Sequence, residues 1–105
     1  MISILIPLRN GYENLDEIER IFKDNLSLIK HEVILVNDYS TDNTLNKAKE
    51  IAEKNKNFVV LNNLKEGLGG AINLGIEQSK GKFVCIMMAD ISDDIHDLKK
   101  YYNLM

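Results

Sequence analysis

At 105 residues, 45% of them hydrophobic, the chain has the size and composition of one globular domain with a single core. A net charge of -3 leaves no basic footprint, so nucleic acid is not an expected partner, and no apolar run approaches the ~20 residues of a membrane span. The lone cysteine, Cys85, excludes an intrachain disulfide and suits a reducing compartment, the cytoplasm; inside its apolar run it reads as a small buried hydrophobe, not a nucleophile.

Residues 2–7 form a continuous apolar run ending at Pro7, the pattern of a buried strand. The run is too short for a signal peptide and has no basic leader. Leu15, Ile18, Ile21, Phe22, Leu26 and Ile29 then recur at helical spacing, with Asn14 as the predicted N-cap. Residues 32–37 are a second strand. Residues 42–55 are a second helix, apolar at Leu45, Ala48, Ile51 and Ala52 and capped by Ser40 or Thr41. A third strand covers 58–61. A third helix runs to about residue 79, with Leu68, Ala71, Ile72, Gly75 and Ile76 predicted inward and Gly81 as its C′ glycine. Residues 83–88 are a fourth strand, and Ser92 or Asp93 would cap a last helix carrying Ile95, Leu98 and Tyr101 or Tyr102.

Strands alternating with helices predict an α/β fold: a Rossmann-like three-layer α/β/α sandwich with a mainly parallel sheet and right-handed crossovers. Ligands bind such sheets beyond the carboxyl ends of the strands. The residues at those ends therefore carry the functional reading.

Asp38 ends the second strand. A carboxylate there can accept hydrogen bonds from a base or a ribose, or it can serve only the turn before the helix. Because Ser40, Thr41 and Asp42 can already do the turn's work, Asp38 is partly free for a ligand. After the fourth strand, Asp90, Asp93 and Asp94 concentrate negative charge, which suits a hard divalent cation, Mg²⁺ or Mn²⁺. Asp93 and Asp94 also fit the first turn of a helix, so Asp90 carries most of the metal reading. Gly67, Gly69 and Gly70 before a helix allow backbone to approach an anion, or form part of a dinucleotide fingerprint. Ile72 stands where that fingerprint needs its third glycine, and residues 62–66 separate the strand from the first glycine. His31 and His96 lack ligand spacing and read as surface residues at helix ends.

Four segments together resemble the amino-terminal half of glycosyltransferase family 2, of the GT-A fold, nearest its polyprenyl-phosphate (dolichol-phosphate mannose type) branch. They are Ile4-Leu5-Ile6-Pro7-Leu8-Arg9-Asn10, the stretch from Glu32 to Thr44, Gly67 to Ile76, and Met87-Met88-Ala89-Asp90-Ile91-Ser92-Asp93-Asp94. The resemblance implies a single, incomplete nucleotide-sugar-binding domain over residues 1–105. Pro7, Leu8, Arg9 and Asn10 would line the base pocket, Asp38 would hold the base edge, and Gly67 and Gly69 would border the nucleotide. Ala89 and Asp90 would meet the diphosphate, with Asp90, and Asp93 as a second candidate, on the cation.

The implied reaction is inverting transfer from a UDP- or GDP-sugar to an acceptor such as a polyprenyl phosphate, in a longer enzyme whose catalytic base lies downstream. The only expected membrane contact is through a lipid acceptor. The chain departs from the family at Met88 and Asn37, each replacing an acid, and at Tyr39, Ile72 and Arg9. Those lost acids leave a non-catalytic nucleotide-binding module as the alternative, and a dinucleotide-binding domain as a lesser one. Without later strands the fourth strand keeps an open apolar edge, so self-association into a homo-oligomer is expected.

Overall fold

The computed structural model describes residues 1–10, 12–26, 30–38, 42–63 and 67–87. These form β1 (Ile2–Leu8), α1 (Leu15–Leu26), β2 (His31–Asp38), α2 (Thr44–Lys54), β3 (Phe58–Asn63), α3 (Leu68–Gln78) and β4 (Phe83–Ile86), with a 3₁₀ turn at Tyr12–Asn14 before α1. The four strands make one parallel sheet in the order β3-β2-β1-β4. Parallel pairing needs a crossover between consecutive strands, and a helix supplies each one.

Strand alternation sorts the core into two layers. Ile4, Ile6 and Leu8 of β1, with Val33, Leu35 and Phe58, pack against Leu15, Ile18 and Phe22 of α1 and Ala48 and Ile51 of α2. On the opposite face Leu5, Ile34 and Val36 pack against Ala71 of α3, with Val59 and Leu61 alongside. All seven residues of β1 are buried, which explains why its sequence is uninterrupted apolar rather than alternating. Beyond Leu5 the pairing of β1 to β4 has ended, so Pro7, which lacks an N–H, interrupts no ladder on that side.

The three-layer parallel α/β architecture follows the sequence expectation. Several local expectations do not. Leu68 and Ile76 are exposed, and Ala71 and Gly75 are the buried positions of α3. Val84 and Ile86 of β4, on the face that carries α3, are exposed as well. Gly81 is not the C′ residue, because α3 ends at Gln78 and its C-cap Ser79 is extended. Glycine is needed at 81 for close approach: a Cβ there would lie 2.5 Å from Ser3 Oγ and 2.6 Å from the Ser3 nitrogen. His31 opens a strand, stacks on Phe22 with ring centroids 6.2 Å apart, and is no helix-end residue.

The N-cap of α2 is Asn43, which makes no capping bond through its side chain. Asp42 supplies the bond instead: its Oδ1 accepts from the Thr44 amide at 3.0 Å and from the Thr44 hydroxyl. The two caps expected for this helix, Ser40 and Thr41, lie outside the described residues, as do His96 and the predicted last helix.

Candidate functional site at the carboxyl ends of the strands

Strands β1, β2 and β3 run one way across the sheet and β4 returns to the other side of β1. The switch in strand order therefore falls between β1 and β4, the place where open α/β sheets bind ligands beyond the strands' carboxyl ends. The carboxyl ends of β2 and β4 flank β1 and face the same edge of the sheet, two strand spacings or about 10 Å apart sideways, with β2 running on past the level at which Ile86 pairs with Leu5. Asp38 stands at the first of these ends. Asp90, with Ala89 and Asp93, follows the second but lies outside the described residues.

Apolar strands here finish in short polar side chains. Asn37-Asp38 ends β2 and Asn62-Asn63 ends β3, and the register pairs them one to one. Alternation sends Asn37 and Asn62 to the α1/α2 face and Asp38 and Asn63 to the α3 face. On the first face Asn37 Nδ2 donates to Asn62 Oδ1 at 3.0 Å. On the second, Asn63 Nδ2 donates to Asp38 Oδ1 at 3.1 Å, and the Gly67 amide donates to the same oxygen at 3.1 Å. Asn63 Nδ2 also reaches the Gly67 carbonyl at 3.4 Å. Gly67 has φ +135°, a backbone that side-chain-bearing residues rarely adopt, and it is this conformation that precedes α3 with its N–H on Asp38.

Asp38 is 4% exposed, and both of its donors are neutral. A carboxylate accepts hydrogen bonds and repels phosphate, so Asp38 suits the N–H of a base or the O–H of a ribose, not the diphosphate. The Asn37 Oδ1 is buried with no hydrogen-bond partner. Native proteins rarely leave such an atom unpaired, because the lost hydration costs about 1–3 kcal/mol.

The other predicted residues divide. Pro7 and Leu8 are buried members of β1, and the Leu8 side chain belongs to the core, so only backbone is left at this point to line a pocket. Arg9 and Asn10 follow on the exposed bend. Asn10 has φ +53°, and its Oδ1 accepts from the Asp42 amide at 3.3 Å, which ties the first loop to the second. At Gly69 no atom lies within 4 Å of where a Cβ would stand, so internal packing does not explain a glycine there.

Among the described residues no three metal-ligating side chains cluster, and no helix is long and apolar enough to cross a membrane. Cys85 is half-buried rather than fully buried as its apolar run implied; it packs at the margin of the core on the α1/α2 face, and that partial burial raises its thiol pKa.

Sequence reasoning treated residues 62–66 as a spacer and so missed Asn62 and Asn63. The available signal was positional: two amides end an apolar strand just as Asn37-Asp38 ends its neighbour.

The sequence profile of glycosyl transferase family 2 matches residues 3–105. Over 90 residues, 86% of this chain and 26% of the relative, the sequence is 31% identical to a dolichol-phosphate mannosyltransferase of Pyrococcus furiosus. Among solved structures, S. aureus TarS 1-349 in complex with UDP-GlcNAc has a TM-score of 0.74 at 25% identity, covering 97% of this chain and 31% of TarS. The mannosyltransferase PcManGT of Pyrobaculum calidifontis, in complex with GDP-Man and Mn²⁺, has a TM-score of 0.73 at 24% identity, covering 85% and 27%. This chain thus spans about a quarter to a third of the length of these proteins.

Proposed function

The chain belongs to glycosyl transferase family 2, and from that premise we propose that it binds the nucleotide of a sugar donor along the rim at the carboxyl ends of its strands. The full reaction is transfer of a sugar from a nucleoside-diphosphate sugar to an acceptor, with inversion. The observation that carries this reading is Asp38, buried at the carboxyl end of β2 and held by the Gly67 amide and Asn63. Donor complexes among the structural neighbours, one with UDP-GlcNAc and one with GDP-Man, support a nucleoside-diphosphate sugar as the ligand class.

On this reading Asp38 takes a donor group of the base or ribose. The backbone of Pro7 and Leu8, with Arg9 and Asn10, lines the base pocket, and Gly67 and Gly69 border the nucleotide. Asp90 and Ala89 meet the diphosphate. Asp90, with Asp93 as a second candidate, would hold Mg²⁺ or Mn²⁺; PcManGT with Mn²⁺ supports the cation. The cation, when bound, offsets the charge that develops on the leaving diphosphate. The Pyrococcus relative's name supports a polyprenyl-phosphate acceptor. The acceptor site and catalytic base would belong to sequence beyond this rim, so residues 1–105 alone would bind nucleotide weakly and transfer no sugar.

Cytoplasmic residence goes with this reading, and the lone cysteine supports it. Strand β4 has no partner beyond β1 among the described residues and exposes Phe83, Val84 and Ile86. The isolated 105-residue chain should therefore self-associate through that edge, and a monodisperse monomer by light scattering would exclude this.

Titration with UDP- and GDP-sugars, with and without Mn²⁺, tests the proposal. Metal-dependent binding that is lost in Asp90→Ala and weakened in Asp38→Ala is the expected result. Metal-independent binding favours a non-catalytic nucleotide-binding module, the reading to which Met88 and Asn37 give weight. No binding of either nucleotide rejects both.

A further inference from the structure

The hydrogen bonds already made by Asp38 limit what it can recognise. Two donors, Asn63 Nδ2 and the Gly67 amide, converge on Oδ1, each at 3.1 Å. A carboxylate oxygen has two lone pairs, so Oδ1 is filled. Among the described residues Oδ2 has no partner, and with 4% of the residue exposed the group can offer an incoming molecule little more than that one oxygen.

Nucleobases differ in what they ask of such a group. Uracil and thymine present one imino donor, N3–H, between two carbonyl acceptors. Guanine presents N1–H and the exocyclic amine side by side, and that pair fits a carboxylate only when both oxygens are open to receive it. A site that leaves half of a ligand's donor pair unmatched loses affinity for that ligand steeply, because a buried polar group goes unpaired.

We infer that Asn63 is a specificity-determining residue for the nucleobase. By filling one oxygen of Asp38 it leaves a single-acceptor site, which selects a pyrimidine bearing N3–H, as in a uridine diphosphate, over guanosine diphosphate. The inference rests on the reading above that Asp38 faces the base. Asn63 acts through Asp38, so it is a positioning residue and touches no reacting atom. Only proline would remove the Gly67 amide N–H, and its ring cannot adopt φ +135°, whereas the Asn63 amide can be removed by ordinary substitution. Its loss reopens one lone pair of Oδ1 while the loop stays tied to the other.

The test is calorimetric titration of the full-length polypeptide with UDP and with GDP, for the native sequence, Asn63→Ala, Asn63→Ser and Asp38→Ala, each first shown to be folded by thermal melting. The native protein should bind UDP at least about tenfold more tightly than GDP. Asn63→Ala should bring the two affinities within about threefold, chiefly by raising that for GDP. Asn63→Ser keeps a polar group that is too short to reach Asp38. It should behave like the alanine variant and serves if that variant fails to fold.

A native preference for GDP overturns the inference. So does an Asn63 variant that weakens both nucleotides equally, since that is what a merely structural role would do. If Asp38→Ala weakens UDP while the Asn63 variants keep the native ratio, this inference falls alone. If Asp38→Ala changes neither affinity, the proposed base contact falls with it.

Discussion

Two buried carboxylates stand at opposite ends of β2, on the same face of the sheet, and each holds one end of α3. At the amino end, Glu32 is 7% exposed, and its Oε2 accepts from the Ser3 hydroxyl at 2.5 Å and the Lys80 amide at 2.6 Å. The Ser3 oxygen in turn accepts from the Gly81 amide at 2.7 Å. At the carboxyl end, Asp38 accepts from Asn63 and from the Gly67 amide.

The local chemistry is nearly the same at both ends: one oxygen, one side-chain donor and one loop amide. What differs is the end of the parallel sheet. The carboxyl ends of β1, β2 and β4 face the edge where ligands bind parallel α/β sheets at a switch in strand order, and the amino ends do not. On the proposed reading the same device is structural at Glu32 and takes a ligand at Asp38. A buried acid in an α/β chain must be placed on the sheet before it is given a role.

The comparison can be broken most severely at the amino end. Gly81→Ala would push a Cβ into the backbone of β1, where Ser3 cannot yield without disturbing the β1–β4 pairing. Overpacking against backbone should cost about 3 kcal/mol of stability, measured by denaturant titration, with nucleotide affinity of the folded fraction unchanged.

A reciprocal pair comes next. Asp38→Ala should weaken nucleotide binding by roughly 10–100-fold, as expected for loss of a charged hydrogen bond. Glu32→Ala should leave affinity within about twofold while removing about 2 kcal/mol of stability, because the Ser3 hydroxyl and the Lys80 amide lose their acceptor. Equal losses of affinity in the two variants would erase the distinction between the ends.

The smallest effect belongs to an exposed acid that bonds its own turn. Hydrogen bonding from the Thr44 hydroxyl, then from its amide, holds the Asp42 carboxyl below its ordinary value of 3.8. A depressed carboxyl pKa contributes stability that is present above the unfolded value and is lost as pH falls through the folded one. Asp42→Asn should thus lower the melting temperature slightly at pH 7, and the two proteins should converge as pH falls below about 4. A marked loss at neutral pH would mean that Asp42 does more than start α2.

Much of this was legible in the chain itself. The continuous apolar runs of β1 and β2 announced strands covered on both faces, and their alternation with amphipathic segments gave the parallel sheet. Asp38 was legible as a strand-end acid because strand ends are where apolar runs stop. Its partners were not. Asn63 reaches Asp38 only because β2 and β3 pair in register, and register is a tertiary fact that no local pattern encodes.

Glu32 went unread for the same reason, since its partners Ser3 and Lys80 come from both distant sides of the chain. Helix α3 misled in another way. Leu68, Ala71, Ile72, Gly75 and Ile76 share one helical face by period, yet only Ala71 and Gly75 are buried and Leu68 and Ile76 stand exposed.

The account turns on where the nucleotide sits. A crystal structure of the full-length protein with UDP and Mn²⁺ would decide it directly. The account predicts a base N–H about 3 Å from an Asp38 carboxylate oxygen, with the diphosphate lying toward the end of β4. A nucleotide bound with no contact to Asp38, or away from the carboxyl ends of the strands, would contradict it.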